Sequence, residues 1–276
     1  MKTQPTLRKS MTTFIGQGSV LTFKFASFAH RLNDKSLYGT KARIGLLLPA
    51  ANHILEPEFC RLLPEGTSLH TARMLNKEAD IRDTEEMNKH LMEAAIELSI
   101  IQPSIVAYGC TSGSFIKGVG SDLEMAKRIS SVVNAPAITT STAVVEALRR
   151  FGMRKLSVAT PYVDEVNLKE KKFLQDHGFE VLEIRGMGIQ KAFEIGLVES
   201  EKVHEFARKT FKKGSDGLFL SCTNLRTLQV IKRLETELQK PVVSSNQATI
   251  WATLGMVKLK TSAEGYGELF NQPFQR

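Results

Sequence analysis

Two cysteines, each following a short apolar run, are the residues in this sequence best suited to chemistry. Cys110 lies in "VAYGCTSGSF" and Cys222 in "LFLSCTNLRT", and a threonine follows each of them directly. A cysteine that ends a strand and begins a helix is close to the positive end of the helix, which lowers the thiol pKa and favours the thiolate. We therefore expect two reactive thiols.

Three reactions suit two thiols on opposite sides of a small molecule. In racemisation, one thiolate removes a proton beside a carboxylate and the other thiol returns a proton to the opposite face. In alkene isomerisation, a thiolate adds to an activated double bond, the new single bond rotates, and elimination releases the other isomer. In decarboxylation, a single thiol protonates the enediolate that the loss of CO₂ leaves behind.

The spacing of the two cysteines indicates an internal duplication. Pro49 ends the apolar run "IGLLLP" and Cys110 follows 61 residues later, and Pro161 ends "LSVATP" and Cys222 again follows 61 residues later. After each cysteine come a helical segment and a strand that begins at a proline and ends in small polar residues. We predict two α/β units of roughly 110 residues, related by a pseudo-twofold axis, with their boundary near Phe151.

Short apolar runs alternate with amphipathic segments from Lys41 onward, which is typical of parallel sheets covered by helices on both faces. The predicted fold class is therefore α/β, with two parallel-sheet units and a cleft between them. Residues 1–40 would be an N-terminal extension outside the fold, 41–150 the half with Cys110, and 151–276 the half with Cys222. The predicted strands are "RIGLLLP", "SIVAYGC", "APAITT", "KLSVATP", "EVLEIRG", "GLFLSC" and "PVVSS".

Polar residues at the carboxyl ends of these strands are the candidate ligand-binding groups, because open parallel sheets bind ligands at that edge. Hydroxyls, amides and the backbone N–H groups of the two cysteine corners would hold a carboxylate without a metal or an organic cofactor. Each of these side chains can also be interpreted as a helix cap or a packing residue. The candidates are Asn52, Thr111, Ser112, Tyr162, Thr223, Asn224, Ser245 and Asn246.

The net charge of +8 does not indicate a nucleic-acid partner. Residues 1–40 account for +5 of it, and the rest of the chain carries both signs interspersed, without aromatic residues along a basic stripe. No apolar run approaches the length of a membrane span. The apolar start of the chain suggests an export segment only weakly, because Gln17 and Lys24 interrupt it.

The cysteine and histidine content argues against disulfide scaffolds and metal sites. Three cysteines without framework spacing favour a reducing compartment, here the cytoplasm, and the six histidines are scattered singly. We interpret Cys60 as a small core residue, His53 as a lone exposed histidine, and Lys169 to Lys172 as a solvated helix face. Glu56 and Glu58 would only stabilise a helix start.

Four segments resemble the maleate cis-trans isomerase family. "LLPAANHILEPEF" is similar to the family's P-S-S-N-T-x-x-E-P-E segment, and "YGCTSGS", "TPYVDEVN" and "SCTNLRTLQVIKRLETELQKPVVSSNQATIW" resemble its later motifs. The resemblance covers about residues 36–270. The family belongs to the aspartate/glutamate racemase superfamily, which also includes arylmalonate decarboxylases and hydantoin racemases.

This resemblance implies roles for four residues. Cys110 would be the nucleophile that adds to the alkene, and Cys222 the opposing acid and base that delivers and removes a proton. Asn52 would bind a substrate carboxylate, and Tyr162 would hydrogen-bond the substrate from the other half. Decarboxylases of the superfamily lack the first cysteine and keep the second, so the presence of Cys110 favours isomerisation.

The chain departs from the family pattern at two places. The family's Ser-Ser before the asparagine is Ala50-Ala51 here, and in "GIQKAFEIG" the chain has Lys191-Ala192 where relatives often have Asp-Asn. These changes remove two hydroxyl donors and one amide from the matching segments, and a larger or less acidic substrate than maleate fits them as well.

The sequence therefore predicts a cofactor-independent two-cysteine isomerase of small carboxylates, acting as a homodimer on a cis-enedioate such as maleate. The alternatives are an amino-acid or hydantoin racemase, an arylmalonate-type decarboxylase, and a non-catalytic carboxylate-binding relative.

Overall fold

The apolar runs of the sequence form two four-stranded parallel sheets in the computed structural model, which describes residues 38–260 and 263–274. In the first sheet the strand order is β2-β1-β3-β4, and every neighbouring pair is parallel. Its strands are β1 (Ala42–Pro49), β2 (Thr67–Met74), β3 (Ile105–Tyr108) and β4 (Ala137–Thr139). The helices of this half are α1 (Leu55–Leu62), α2 (Ile81–Lys89), α3 (Leu91–Ser99), α4 (Thr111–Phe115), α5 (Ser121–Val133) and α6 (Thr140–Arg150).

The second sheet repeats the first. Its order, β6-β5-β7-β8, is the same pattern of crossovers as β2-β1-β3-β4, and all its pairs are parallel. The strands are β5 (Lys155–Thr160), β6 (Glu180–Gly186), β7 (Gly217–Leu220) and β8 (Val242–Ser244). The helices are α7 (Asp164–Asp176), α8 (Ala192–Ile195), α9 (Ser200–Thr210), α10 (Leu228–Leu238) and α11 (Ser245–Met256), followed by a 3₁₀ turn at Glu268–Asn271.

The central strands are buried on both faces, as parallel strands between two helical layers must be. All four residues of β3 and all four of β7 are buried, and in β1 only Arg43 is partly exposed. Helices α6 and α11, which follow β4 and β8, pack against each other across the two halves. The predicted α/β class with two related parallel-sheet units is confirmed, and the repeated strand order explains why the two cysteines share one spacing.

Strand β2 is absent from the sequence-based prediction because it has no apolar pattern. It pairs with β1 alone, and only Ala72 and Met74 among its residues are buried. An edge strand needs little apolar surface, so neither alternation nor a continuous apolar run marks it. The amphipathic segment "DTEEMNKHLMEAAIEL" forms most of α2 and most of α3, with a break at His90.

Two predictions about which side chains are buried are wrong. Cys60 is exposed rather than a core residue, because it lies on the outer side of α1. In the run Lys169 to Lys172, Glu170 is 1% exposed, since it lies on the inner side of α7 while the lysines face solvent. No helix within residues 38–260 and 263–274 is long and apolar enough to span a membrane.

Candidate active site

The corner that carries Cys110 is a helix cap. Strand β3 ends at Tyr108, and after Gly109 the chain enters Cys110, whose backbone is extended (φ −141°, ψ 116°). The Cys110 Sγ accepts a hydrogen bond from the N–H of Gly113 at 3.3 Å, and the Ser112 Oγ lies 3.7 Å from it. The thiol therefore caps α4 directly.

The corner that carries Cys222 is a strained turn. Cys222 has φ of 92°, in the region that non-glycine residues rarely adopt and that costs free energy wherever the surrounding structure imposes it. Its Sγ accepts the N–H of Asn224 at 3.4 Å, and its own N–H donates to the Ser245 Oγ at 3.1 Å. The sequence predicts that Cys222 begins a helix, but helix α10 begins only at Leu228.

Both cysteines line one pocket at the carboxyl ends of the central strands, with a volume of about 40 Å³. The pocket combines residues of both halves, as two units facing each other across a cleft would produce. No lysine or arginine is among the described residues that line it. The lining consists of Pro49, Asn52, Asn76, Glu78, Ala79, Thr84, Met87, Cys110, Thr111, Ser112, Tyr162, Ala192, Ile195, Cys222, Thr223 and Asn224.

Burial raises the pKa of both thiols, so the expectation of lowered thiol pKa values is wrong. At Cys110 the N–H of Gly113 and the hydroxyls of Ser112 and Tyr108 act in the expected direction and lower the pKa, but desolvation outweighs them. Burial disfavours the charged form of any group, and both side chains are almost completely enclosed.

The pKa of Cys222 is raised to about 12, and its causes differ from those at Cys110. Burial is again the largest, and the N–H of Asn224 and the Tyr162 hydroxyl lower the pKa. In addition, Cys110 and Glu170 raise it through charge repulsion, whereas no neighbouring charge raises the pKa of Cys110. Cys110 is therefore the thiol that ionises more readily, and Cys222 the thiol that keeps its proton.

Tyr162 lines the same pocket and interacts with both thiols. It follows β5 directly, and its side chain is 2% exposed. Burial raises the pKa of its hydroxyl well above the ordinary value, and the charges of Cys222, Glu170 and Cys110 raise it further. The hydroxyl therefore remains a hydrogen-bond donor at any physiological pH.

A second tyrosine, Tyr108, supports Cys110 and was not anticipated from the sequence. Its hydroxyl donates to Asn88 Oδ1, and Asn88 Nδ2 donates to the carbonyl of Gly113 at 2.9 Å. A Cβ at Gly113 would collide with the Tyr108 hydroxyl and lie 3.1 Å from the Cys110 Sγ. Only glycine therefore fits between tyrosine and thiol, although in the sequence Tyr108 looks like an ordinary strand residue.

Several predicted binding residues use their side chains to build the pocket wall. Asn52 Oδ1 accepts the N–H groups of Ile54 and Leu55 at 3.1 Å each, which caps α1, and Asn52 Nδ2 donates to Thr223 Oγ1 at 3.0 Å. Thr223 Oγ1 in turn donates to the carbonyl of Gly109 at 2.9 Å. These bonds join the two cysteine corners across the cleft.

The side-chain amide of Asn224 is also fully occupied. Its Oδ1 accepts the N–H of His53 at 3.0 Å, and its Nδ2 donates to the carbonyls of Ala192 and Ala51 at 2.8 and 3.4 Å. His53 is partly buried and stacks on Phe193, with ring centroids 4.8 Å apart, so it is not the lone exposed histidine we expected.

Ser245 and Asn246 lie behind the pocket wall and do not line the pocket. The Ser245 Oγ accepts from Thr111 Oγ1 at 2.9 Å as well as from the Cys222 N–H, so it ties one corner to the other. Asn246 Nδ2 donates to a carboxylate oxygen of Glu58, and burial raises the pKa of that carboxyl to about 7. Their positions support the two corners from behind rather than contact a ligand.

Few donors in the pocket are left for a substrate. The Ser112 and Tyr162 hydroxyls lie in the lining beside the thiols. Asn76 accepts the N–H of Ala51 at its Oδ1, at 3.1 Å, and its amide NH₂ has no partner among the described residues. A carboxylate in this pocket would thus meet neutral donors only.

The segment after β2 contributes lining residues that sequence reasoning missed. Asn76, Glu78, Ala79, Thr84 and Met87 lie between the end of β2 and the end of α2. These residues follow the carboxyl end of β2, which is where parallel sheets bind ligands. Because β2 was not predicted from the sequence, they were not predicted as lining residues.

Two short segments, one from each half, pair in an antiparallel bridge beside the pocket. Residues 77–79 and 190–192 form an antiparallel bridge at Glu78 and Lys191, with hydrogen bonds from the Ala79 N–H to the Gln190 carbonyl (2.6 Å) and from the Ala192 N–H to the Lys77 carbonyl (3.0 Å). One strand of this bridge comes from each half, and both sides contribute lining residues.

The departures from the family pattern have different consequences. Ala192 lines the pocket next to Ile195 and makes that part of the wall apolar. Ala50 and Ala51 do not line it, although the carbonyl and N–H of Ala51 anchor Asn224 and Asn76. Within the described ranges, no group of three or more His, Cys, Asp or Glu residues is placed to hold a metal ion.

Comparisons with known proteins agree with this architecture. A maleate isomerase from Alcaligenes faecalis is 25% identical over 243 residues, which cover 83% of this chain and 96% of that protein. The arylmalonate decarboxylase of Bordetella bronchiseptica is 28% identical over 238 residues, with 83% and 96% covered. A solved structure of a cysteine-to-serine mutant of Nocardia farcinica maleate cis-trans isomerase, with a covalently bound succinylcysteine intermediate, matches with a TM-score of 0.79 at 23% identity, covering 83% of this chain and 97% of that one.

The family model described as arylmalonate decarboxylase matches residues 44–270, which include both cysteine corners and every residue of the pocket lining. The resemblance to maleate isomerases and arylmalonate decarboxylases is thereby confirmed, and this chain belongs to the arylmalonate decarboxylase family.

Proposed function

We propose that this protein is a cofactor-independent isomerase that converts a small cis-enedioate, such as maleate, into its trans isomer with Cys110 and Cys222. The observation that carries the proposal is that one thiol from each half lines the same pocket, together with Tyr162, which interacts with both thiols. Curated relatives named maleate isomerase, at about 25% identity over most of the chain, support the same reaction.

In the first step the Cys110 thiolate adds to one alkene carbon, and Cys222 gives its proton to the other. A C–S bond and a C–H bond form, the π bond is lost, and Cys222 becomes a thiolate. Rotation about the new single bond then turns the two carboxylates away from each other. Cys222 takes a proton back from the carbon, the C–S bond breaks, and both thiols regain their starting states.

The different pKa values of the two thiols fit these different roles. The nucleophile must ionise first, and Cys110 is the thiol whose pKa no neighbouring charge raises. The proton donor must stay protonated until the addition, and the pKa of Cys222 is raised to about 12. The hydroxyls of Ser112 and Tyr162 and the side-chain amide of Asn76 are neutral donors available to a substrate carboxylate.

Substrate entry requires the pocket to open. A volume of about 40 Å³ suits a water molecule, whereas maleate has eight non-hydrogen atoms. The bridge between Glu78 and Lys191 is the contact that would separate, because its few hydrogen bonds join the two halves beside the pocket. Its opening and closing would admit the substrate and then exclude water from the thiolate.

The test is to incubate the purified protein with maleate and follow the olefinic protons by NMR. Appearance of the fumarate signal with wild type, and its absence with a variant that carries both Cys110→Ser and Cys222→Ser, supports the proposal. No conversion at high enzyme concentration contradicts it for maleate, and half-amides or half-esters of maleate would then be tried because Ala192 and Ile195 make one wall apolar.

The second candidate is decarboxylation of an arylmalonate, which the family model and the relative from Bordetella bronchiseptica favour. This reaction needs only the Cys222 thiol to protonate the enediolate. CO₂ release from phenylmalonate that persists in Cys110→Ser and disappears in Cys222→Ser would establish it. Racemisation would instead show as exchange of an α-proton with solvent deuterium. A non-catalytic binder would show none of these reactions, and a dicarboxylate would not change the alkylation rate of either thiol.

We further propose that the functional chain consists of an extension at residues 1–40 and two halves, 41–150 and 151–276, assembled as a homodimer in the cytoplasm. Residues 1–37 of this extension lie outside the described residues. The unpaired state of Cys60, Cys110 and Cys222 supports a reducing compartment. Light scattering of the wild-type protein and of a chain that starts at residue 38 would test the dimer and the dispensability of the extension.

A further inference from the structure

A buried glutamate that the proposed reaction does not use lies beneath the Cys222 corner. Glu170, on α7, is 1% exposed, and its Oε1 accepts a hydrogen bond from the Ser221 hydroxyl at 2.5 Å. Its second oxygen, Oε2, is buried and has no hydrogen-bond partner among the residues that the structure describes. A buried carboxylate without a cation is costly, so such a site favours the neutral acid.

Glu170 is connected to both functional groups of the second half. Ser221 is the residue directly before Cys222, so the hydrogen bond from its hydroxyl holds the chain at the strained position. One helical turn earlier, Asn167 donates to the carbonyl of Tyr162 at 3.3 Å. The inner face of α7 thus supports the tyrosine and the thiol at once.

The groups that face Glu170 are ionisable but carry no positive charge. Tyr162 and Cys222 are the titratable neighbours with which it interacts, and Cys110, at the start of α4, interacts with both of them. On β6, which packs against α7, Glu183 and Arg185 pair with each other at the surface. Burial raises the pKa of Glu170 to about 8, and among the described residues no lysine, arginine or histidine opposes this.

We propose that Glu170 is a positioning residue for Cys222, which works as a neutral carboxylic acid and which, once ionised, makes Cys222 hold its proton more tightly. One consequence concerns turnover, and it alone rests on the proposed isomerisation. The intermediate of that reaction carries a Cys222 thiolate. A negative Glu170 beside it would disfavour that intermediate, so ionisation of Glu170 limits turnover on the alkaline side. Glutamine at this position keeps an acceptor for Ser221 and cannot ionise.

The test follows the alkylation of Cys222 by iodoacetamide, a neutral reagent, and needs no substrate. In a Cys60→Ser, Cys110→Ser background Cys222 is the only thiol of the chain. Below pH 8 the logarithm of the alkylation rate should rise by one per pH unit, because the thiolate fraction does. Above pH 8 the slope should fall as Glu170 ionises, since the two groups titrate together.

The Glu170→Gln variant in the same background should show a straight line of unit slope. At pH 9.5 it should react about tenfold faster than the parent, since a nearby like charge shifts a pKa by about one unit or more. The matched control is Glu235→Gln, because Glu235 is another glutamate whose pKa burial raises, but it bonds the N–H of Glu268 and lies outside the pocket lining. This control should retain the break near pH 8.

Identical pH profiles for the parent and Glu170→Gln would overturn the proposal. Thermal unfolding at several pH values measures the effect of Glu170 on stability separately from its effect on Cys222. Because the pKa of Glu170 is higher in the folded chain than in the unfolded one, its contribution to stability is fully present below pH 4.5 and is lost as the pH rises toward 8. Glu170→Gln should therefore raise Tm at pH 8 relative to wild type more than at pH 5, whether or not Glu170 affects Cys222. If maleate proves not to be a substrate, the alkylation result still stands.

Discussion

The two cysteine corners are built differently, although the same sequence pattern of apolar strand, cysteine and threonine leads into both. At the first, the thiol caps a short helix in an ordinary extended conformation and is supported by Tyr108 and Gly113. At the second, the thiol lies in a turn with φ of 92°. The duplication has therefore kept the topology of the corner while its local environment has diverged.

The difference between the corners shows how one fold can hold one thiol that ionises more readily and another that keeps its proton. Both thiols are buried, which raises both pKa values, but only Cys222 also faces charges that raise it further. A buried carboxyl on α7 is the added element in the second half, while in the first half the neighbours of the thiol are neutral hydroxyls and amides. Substitutions at matched positions of the two corners test whether the two thiols differ in role and reactivity.

The largest effect is expected from removal of either thiol. Cys110→Ser and Cys222→Ser should each lower turnover of the isomerisation by about 10³- to 10⁴-fold, because nucleophilic attack and proton transfer are both lost with their groups. Mass spectrometry of the intact protein with maleate should separate the roles. In Cys222→Ser the serine hydroxyl or water can still protonate the carbon slowly, but neither removes that proton again as the Cys222 thiolate does, so an adduct on Cys110 should accumulate, whereas Cys110→Ser should form none.

The exposed Cys60 provides the control for these variants. Cys60→Ser should retain wild-type turnover, since Cys60 lies on the outer side of α1. An adduct on Cys222 in the Cys110→Ser variant would reverse the assignment of nucleophile and acid.

The next effect concerns the packing of the first corner. In Gly113→Ala the new Cβ would collide with the Tyr108 hydroxyl and crowd the Cys110 thiol. Overpacking of this kind costs about 1–3 kcal/mol of stability. Urea unfolding should show that loss, and the alkylation rate should change at Cys110 while that at Cys222 stays as in wild type. Equal changes at both thiols would mean that the corners are not independent.

A smaller effect separates the thiols by reactivity. Both pKa values lie above neutrality, so alkylation by iodoacetamide should accelerate with pH between 7 and 9 at both sites. Cys110 should react faster than Cys222, because charge repulsion adds to burial in raising the pKa of Cys222 alone and leaves it a smaller thiolate fraction. Peptide mapping after timed labelling measures both rates in one sample, and faster labelling of Cys222 would contradict the comparison.

The sequence predicts the duplicated topology well because that topology depends on apolar runs and on their spacing. The strands β1, β3, β5 and β7 are buried on both faces and are visible as continuous apolar segments. The site residues that were predicted at the carboxyl ends of strands and that line the pocket are Cys110, Cys222, Asn52, Thr111, Ser112, Tyr162, Thr223 and Asn224. A residue next to a recognisable strand is therefore easy to place.

The rest of the site depends on contacts between segments distant in sequence, which periodicity does not encode. Asn224 and Thr223 look like free donors, but their partners lie about 110 to 170 residues away. Glu170 is hidden in the lysine-rich "KEKK", and its burial depends on which side of α7 meets the sheet. The φ of Cys222 is imposed by bonds such as that from its N–H to Ser245, so no local pattern reveals it.

The smallest effect is expected from substitution of the threonines that follow the two cysteines. It tests whether the two corners contribute equally to the free energy of unfolding. Thr223→Val would leave both the Asn52 amide and the Gly109 carbonyl without a partner, which costs about 2 kcal/mol of unfolding free energy. Thr111→Val would remove only the bond to Ser245, whose hydroxyl still accepts the Cys222 N–H, and should cost about 1 kcal/mol. Urea unfolding of both variants measures the difference. A larger loss for Thr111→Val would mean that the first corner, rather than the second, holds the two halves together, and the strain at Cys222 would then need another source of support.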